Sequence, residues 1–116
     1  KSYVSIDGGM TDNPRYALYQ SEYTVLNASR ANRPADFICT IAGRCCESGD
    51  LIQEDVAIAK PQRGDILAVL CTGAYNYAMA SNYNRVCRPA IIILKDGHDR
   101  LGVRRETFED LIAYDL

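Results

Sequence analysis

The sequence predicts a mainly-β domain: a barrel or sandwich of short, Greek-key-like strands with one or two short helices. Two observations carry that expectation. Runs of four to six β-branched, aromatic and aliphatic residues recur along the whole chain, each cut off by a Gly, Pro, Asn or Asp turn signal. Only two segments, Ala74–Ser81 and Thr107–Ile112, have helical character.

In chain order, Tyr3–Ile6 reads as a first strand stopped by Asp7-Gly8-Gly9, and Asp12-Asn13-Pro14 marks a further turn. Tyr23–Leu26 and Phe37–Ala42 read as strands, with the polar stretch Arg30–Pro34 as a loop between them. Leu51–Ala59 is ambiguous by pattern, and Val56 and Ile58 favour strand. Pro61–Asp65 is a turn ahead of the buried run Ile66–Leu70. Ala90–Leu94 is a similar run, followed by a hairpin turn over Lys95–Asp99 and a last strand over Leu101–Arg104. Thr107 is placed to cap a final helix, with Asp110 three residues on as in a capping box. Phe108, Leu111 and Ile112 then share one helical face. Cys39 and Cys71 lie in apolar runs and are expected in the core.

The 116 residues suffice for one compact domain, and an apolar fraction of 47% allows a packed core. Net charge is -2 and the basic residues are scattered, which argues against a nucleic-acid face. No apolar run is long enough for a transmembrane helix and no signal-peptide pattern is present, so a soluble, cytoplasmic chain is expected. Five cysteines without a C-x-x-C pair, and a single histidine, His98, in a polar turn, make a metal site an unsuitable reading. Free thiols of a reducing compartment fit better. The chain opens on Lys1 directly into a strand-like run, which reads as one piece, residues 1–116, of something longer.

Three polar segments could hold chemistry. In Asp7–Tyr19, Arg15 and Tyr19 are four residues apart beyond a turn, and a guanidinium beside a phenol suits capture of a carboxylate. By spacing alone, a surface arginine and a packed tyrosine remain the more ordinary reading. In Gly43–Asp50, Cys46 beside Glu47 could offer a proton and a carboxylate for an ammonium group, or could be an ordinary polar loop. Thr72–Asn84 concentrates tyrosines and asparagines, as a ligand-facing surface or a tyrosine-covered helix would.

Taken in order, DGGMTDNPRYALY (Asp7–Tyr19), CESGD (Cys46–Asp50), GDILAVLCTGAY (Gly64–Tyr75), MASNYN (Met79–Asn84) and RRET (Arg104–Thr107) resemble the fold-type III (group IV), pyridoxal-phosphate-dependent decarboxylases, most closely those acting on diaminopimelate. The resemblance covers nearly the whole chain and implies the C-terminal β-domain of such an enzyme. It assigns Arg15, Tyr19 and Glu47 to substrate binding, Tyr75 to both substrate and cofactor, and Cys46 to proton donation. It also implies a homodimer in which Cys46 and Glu47 reach into the partner's active site. The cofactor-binding barrel, with its cofactor-bonding lysine and phosphate-binding glycines, has no counterpart here: Lys1, Lys60 and Lys95, the only lysines, stand at the chain start or in polar turns. Tyr16 departs from the family's usual proline and bears on the local turn.

The substrate implied is meso-diaminopimelate and the product L-lysine. The distal end of that substrate carries both a carboxylate and an ammonium group, which Arg15 with Tyr19 and Glu47 would complement; an ornithine-like substrate presents only the ammonium. A thiol with an ordinary pKa of about 8.5 is protonated at neutral pH and can act as an acid, as the role given to Cys46 requires. Carboxynorspermidine decarboxylase or another basic amino-acid decarboxylase of the same fold is one alternative. A non-catalytic homologue using the same surface as a binding module is a second.

Overall fold

Seven short strands and three short helices make up the computed structural model, which describes all residues from Lys1 to Leu116. The strands are β1 (Tyr3–Ser5), β2 (Val25–Asn27), β3 (Phe37–Ala42), β4 (Leu51–Ile58), β5 (Leu67–Val69), β6 (Ile91–Lys95) and β7 (His98–Val103). The helices are α1 (Arg15–Tyr19), α2 (Asn76–Met79) and α3 (Phe108–Leu111). The mainly-β expectation holds, but three sheets, β1-β3-β4, β2-β5 and β6-β7, stay separate and do not close into a barrel.

β3 is the centre of the largest sheet because its inward residues are the least accessible of the chain. Thr40 and Ile41 are fully covered and Cys39 is 1% exposed. β1 pairs with it in parallel, Ser5 opposite Ala42, and β4 pairs antiparallel. Val25, Cys39, Ile41, Ile52 and Ile58 form the core, with Val4, Phe37, Leu67 and Val69 packed around them. The β6–β7 hairpin contributes no buried residue. Its turn at Asp96-Gly97 has φ of 51° and 75°, the left-handed pair that matches the twist of a two-residue hairpin.

Several local expectations are corrected. The chain has three short helices, and α1 was read only as the residues beyond a turn. α2 covers four residues rather than Ala74–Ser81, since Ala80 already has extended backbone. Cys71 is exposed at φ 57°, outside β5, so only Cys39 of the two thiols belongs to the core. Around Thr107 the capping box is complete: its hydroxyl accepts the Asp110 N–H and the Asp110 carboxylate accepts the Thr107 N–H. The apolar face of α3 is nevertheless largely uncovered, with Phe108 73% exposed.

One polar cluster ties the two-stranded sheet to the turn before β5. The Asp65 carboxylate accepts from Asn27 Nδ2 at 3.0 Å, Arg30 Nε at 2.6 Å and the Gln62 N–H at 2.9 Å. Arg30, then Asn27, hold its pKa at about 2, below the ordinary 3.8. Its contribution to stability is therefore fully present above the ordinary value and is lost as pH falls through about 2. Asp65→Asn should lower the urea midpoint of unfolding at neutral pH, and the gap to wild type should close as the pH approaches about 2. A gap independent of pH would contradict the assignment.

Candidate functional site

Parallel pairing of β1 with β3 sends both following segments off the same end of the sheet, an arrangement extended by the Ile6 N–H to Ala42 O bond of 2.9 Å. The first segment is the Gly9–Pro14 turn. Gly9 O accepts the N–H groups of Asp12 and Asn13 at 2.9 and 3.1 Å, and the Asp12 carboxylate accepts the Gly9 N–H at 3.1 Å. Burial pushes the Asp12 carboxyl up, and the Gly9 bond opposes that shift.

α1 follows at once. Asn13 Oδ1 accepts the Arg15 N–H at 3.2 Å, and Pro14 stands at the helix entry, where a missing N–H carries no penalty. The spacing of four places Arg15 and Tyr19 on one face, the guanidinium carbon 5.4 Å from the ring centroid. Tyr16 anchors the other face: it is 7% exposed and donates its hydroxyl to Glu54 Oε2 at 2.7 Å. A tyrosine here thus keeps the helix seated. Glu54 is held below the usual carboxylate range by Lys1 first and Tyr16 second.

Tyr75 completes a trio that no local spacing could join. Its ring centroid lies 4.9 Å from the Arg15 guanidinium carbon, and Met79 Sδ lies 3.9 Å from Arg15 Nη1. Tyr75 is 67% exposed and has φ 72° and ψ −39°, a conformation strained for a residue with a side chain. Asn76, buried, secures the bend by donating to Thr72 O at 2.9 Å. The Ser81 N–H to Thr11 O bond of 2.9 Å then fastens this segment to the first.

The Gly43–Asp50 loop joins β3 to β4 and is closed by the Gly43 N–H to Asp50 O bond of 2.8 Å. Cys46 and Glu47 are exposed at its tip, while Cys45 is half-buried. Burial first, then the Asp50 carboxylate, push the Cys45 thiol up. Glu47 Oε1 accepts from Ser48 Oγ at 3.3 Å and the Gly49 N–H at 3.2 Å. The structure therefore unites Arg15, Tyr19 and Tyr75. It leaves Cys46 and Glu47 on a neighbouring loop, without a hydrogen bond or ion pair to that trio. Met79 and Asp50 were missed as part of this construction; both lie inside the quoted motifs, which was the available signal.

Tyr19, Cys46, Glu47 and Tyr75 are exposed, and Arg15 is half-buried. A cavity of about 1230 Å³ adjoins this surface: none of the five lines it, but its walls include Gly9, Asp12 and Asn13 of the turn before α1 and Thr72, Gly73 and Asn76 of the segment that carries Tyr75. None of the three lysines joins the trio: Lys1 is paired with Glu54, and Lys60 and Lys95 are exposed. These residues do not by themselves fit a holder of a pyridoxal cofactor. No group of three or more His, Cys, Asp or Glu side chains is arranged to hold a metal ion. No helix is long and apolar enough to cross a membrane.

The site thus consists of a guanidinium without an ion pair, set against two phenol rings, with a thiol-bearing loop on the neighbouring strand end. Residues 1–73 match the family described as the C-terminal sheet domain of pyridoxal-dependent decarboxylases, and the chain belongs to that family. It is 49% identical over its full length to the diaminopimelate decarboxylase of Bacillus subtilis strain 168, covering 26% of that protein. It is likewise 49% identical over 99% of its length to the diaminopimelate decarboxylase of a Synechocystis species, covering 24%. The crystal structure of diaminopimelate decarboxylase from M. jannaschii superposes on 98% of the chain and 26% of that protein, with a TM-score of 0.89 at 36% identity; the same protein is also known in complex with L-lysine. The chain thus spans about a quarter of the length of the relatives it matches.

Accessibility ranks the thiols. Because the thiolate is the reactive form, Cys46 and Cys71 should alkylate ahead of the half-buried Cys45, whose thiol is pushed up, with buried Cys39 last. A time course with iodoacetamide and peptide mapping reads this order, and early labelling of Cys39 would contradict the packing described.

Proposed function

We propose that this chain is the C-terminal β-domain of a larger, cytoplasmic pyridoxal-phosphate-dependent enzyme that converts meso-2,6-diaminopimelate to L-lysine and CO2. A barrel domain encoded outside residues 1–116 supplies the lysine and phosphate cradle that this chain lacks. The enzyme acts as a homodimer, and Cys46 and Glu47 of one protomer serve the site that contains Arg15, Tyr19 and Tyr75 of the other.

The observation that carries the reading is the state of Arg15. Arg30, Arg85, Arg88 and Arg104 are each paired with a carboxylate, and Arg33, Arg44, Arg63, Arg100 and Arg105 are unpaired but exposed; Arg15 is the arginine that is half-buried and unpaired, held against two tyrosine faces and a thioether. A guanidinium held in place but unpaired is prepared for a carboxylate from outside, and its planar fork suits bidentate capture. Tyr19 and Tyr75 restrict its movement. Glu47, whose present bonds are only to its own loop, can exchange them for an ammonium group. Those two charges complement the distal end of diaminopimelate. The L-lysine bound by the M. jannaschii relative is the corresponding product.

Bound pyridoxal phosphate supplies the electron sink for loss of CO2. The residues of this chain do the rest of what is assigned to them. Arg15 and Tyr19 fix the substrate's far carboxylate, Glu47 its far ammonium, and Tyr75 flanks the reacting end. Cys46 donates the proton from Sγ to the carbon that has lost CO2.

In the full-length enzyme, Arg15→Ala should reduce kcat/KM for diaminopimelate by about 2–5 kcal/mol of transition-state stabilisation, the usual effect of stranding one partner of a charge pair. Unchanged kcat/KM would remove the assignment. The shared site is tested by mixing Cys46→Ala and Arg15→Ala dimers under conditions of verified subunit exchange. In a mixed dimer one site collects both lesions and the other neither, so about one-quarter of wild-type activity should return. No recovery would mean that each site is built within one chain.

A further inference from the structure

We infer that Asp50 is the positioning residue of the Cys46 loop, locking it onto the turn that leads to Arg15. The inference rests on the role proposed above for Cys46. It arises from a buried carboxylate that no ion pair accounts for. Asp50 is 2% exposed and takes part in none of the five salt bridges. Its two oxygens instead serve two different segments: Oδ1 accepts the Met10 N–H at 2.6 Å and Oδ2 accepts the Cys45 N–H at 2.7 Å. Both bonds are short and charge-assisted, the stronger class of hydrogen bond.

The space around the carboxylate is closed in a way only glycine permits. A Cβ on Gly43 would overlap both oxygens, and one on Gly9 would stand 2.5 and 2.9 Å from them. Two glycines from separate segments therefore flank one carboxylate, each leaving room for its approach to the backbone. A buried carboxylate is expensive unless its oxygens are bonded, so the two N–H groups are held where the charge needs them. Cys45 N–H is one residue from Cys46, and Met10 N–H lies in the turn that enters α1.

The consequence is mechanical. The loop tip carries no hydrogen bond from Cys46 to the rest of the domain, and Glu47 bonds only within the loop. Without Asp50 the thiol's direction would depend on a short connection between strands. With it, Cys46 is fixed on the body of its own protomer, as delivery of a proton across a subunit boundary requires. Displacement of a catalytic group by about 1 Å can cost on the order of a hundredfold in rate.

Asp50→Asn keeps the volume but sets an amide N–H against one of the backbone donors. In the full-length enzyme it should lower kcat by about tenfold or more, yet by less than about twofold when added to Cys46→Ala, because coupled residues do not act independently. Hydrogen exchange on the same variant should show lost protection at Met10 and Cys45 with Thr40 and Ile41 unchanged. Gly43→Ala, which displaces the same carboxylate from the other side, should reproduce both results, and Gly49→Ala, whose Cβ would meet only Glu47 Oε1 at an ordinary 3.9 Å, should reproduce neither. Multiplicative losses in the double variant, or retained protection at Met10 and Cys45, would overturn the inference. Full activity of Cys46→Ala would instead refute the role given to Cys46, and the exchange measurement would still decide whether Asp50 holds the loop.

Discussion

Parallel pairing of β1 with β3 is the constraint on which the arrangement of the site depends. Two parallel neighbours cannot be joined by a tight turn, so the chain between Ser5 and Phe37 must travel out and return. That excursion is where α1 and β2 are made. The same pairing brings the C-terminal ends of β1 and β3 side by side, so the Gly9–Pro14 turn and the Gly43–Asp50 loop start as neighbours. Antiparallel β4 then needs only a short connection, and the loop bearing Cys46 is that connection. Proximity of the two segments is thus set by topology before any side chain acts, and Asp50 converts proximity into fixed contact.

How much of this was legible in the sequence follows from how local each cause is. Phe37–Ala42 was readable because four of its six residues, Phe37, Ile38, Thr40 and Ile41, are strong strand formers. The Thr107–Asp110 box was readable because both partners lie within one turn. A five-residue helix such as α1 is too short to show a period, and it forms because Tyr16 is pinned by Glu54, 38 residues away in sequence. Separation of the sheets is set by pairing across the whole chain, and a run such as Ile66–Leu70 looks the same in an open or a closed barrel. Cys71 misleads for a related reason: it follows an apolar run, but the backbone turns left-handed there and carries the thiol outward.

The site was legible in parts and not as a whole. Spacing alone put Arg15 and Tyr19 four residues apart beyond a turn without showing the helix that gives them one face, whereas Tyr75 meets Arg15 from 60 residues further along the chain. The family motifs supplied that third member, and likewise the pair Cys46 and Glu47. They did not reveal why Asp50 closes the motif, since its partners are backbone N–H groups, invisible in any list of side chains.

Energetics also separate what holds the trio from what it is for. An exposed cation–π contact is worth about 0.5–1 kcal/mol, while a residue with a side chain at an unfavourable positive φ costs about 1–3 kcal/mol. The Arg15–Tyr75 contact therefore does not offset the conformation of Tyr75. The offset lies in the bend itself, in the Asn76 to Thr72 O bond, the Met79 N–H to Tyr75 O bond of 2.9 Å and the burial of Asn76. Exposing a strained tyrosine beside an unpaired arginine gains the isolated domain little. Under the proposed function the arrangement becomes favourable when a carboxylate arrives, because the guanidinium then gains charge-assisted bonds without first having to be ordered. On that proposal, the strain and the missing partner are two sides of one preparation for binding.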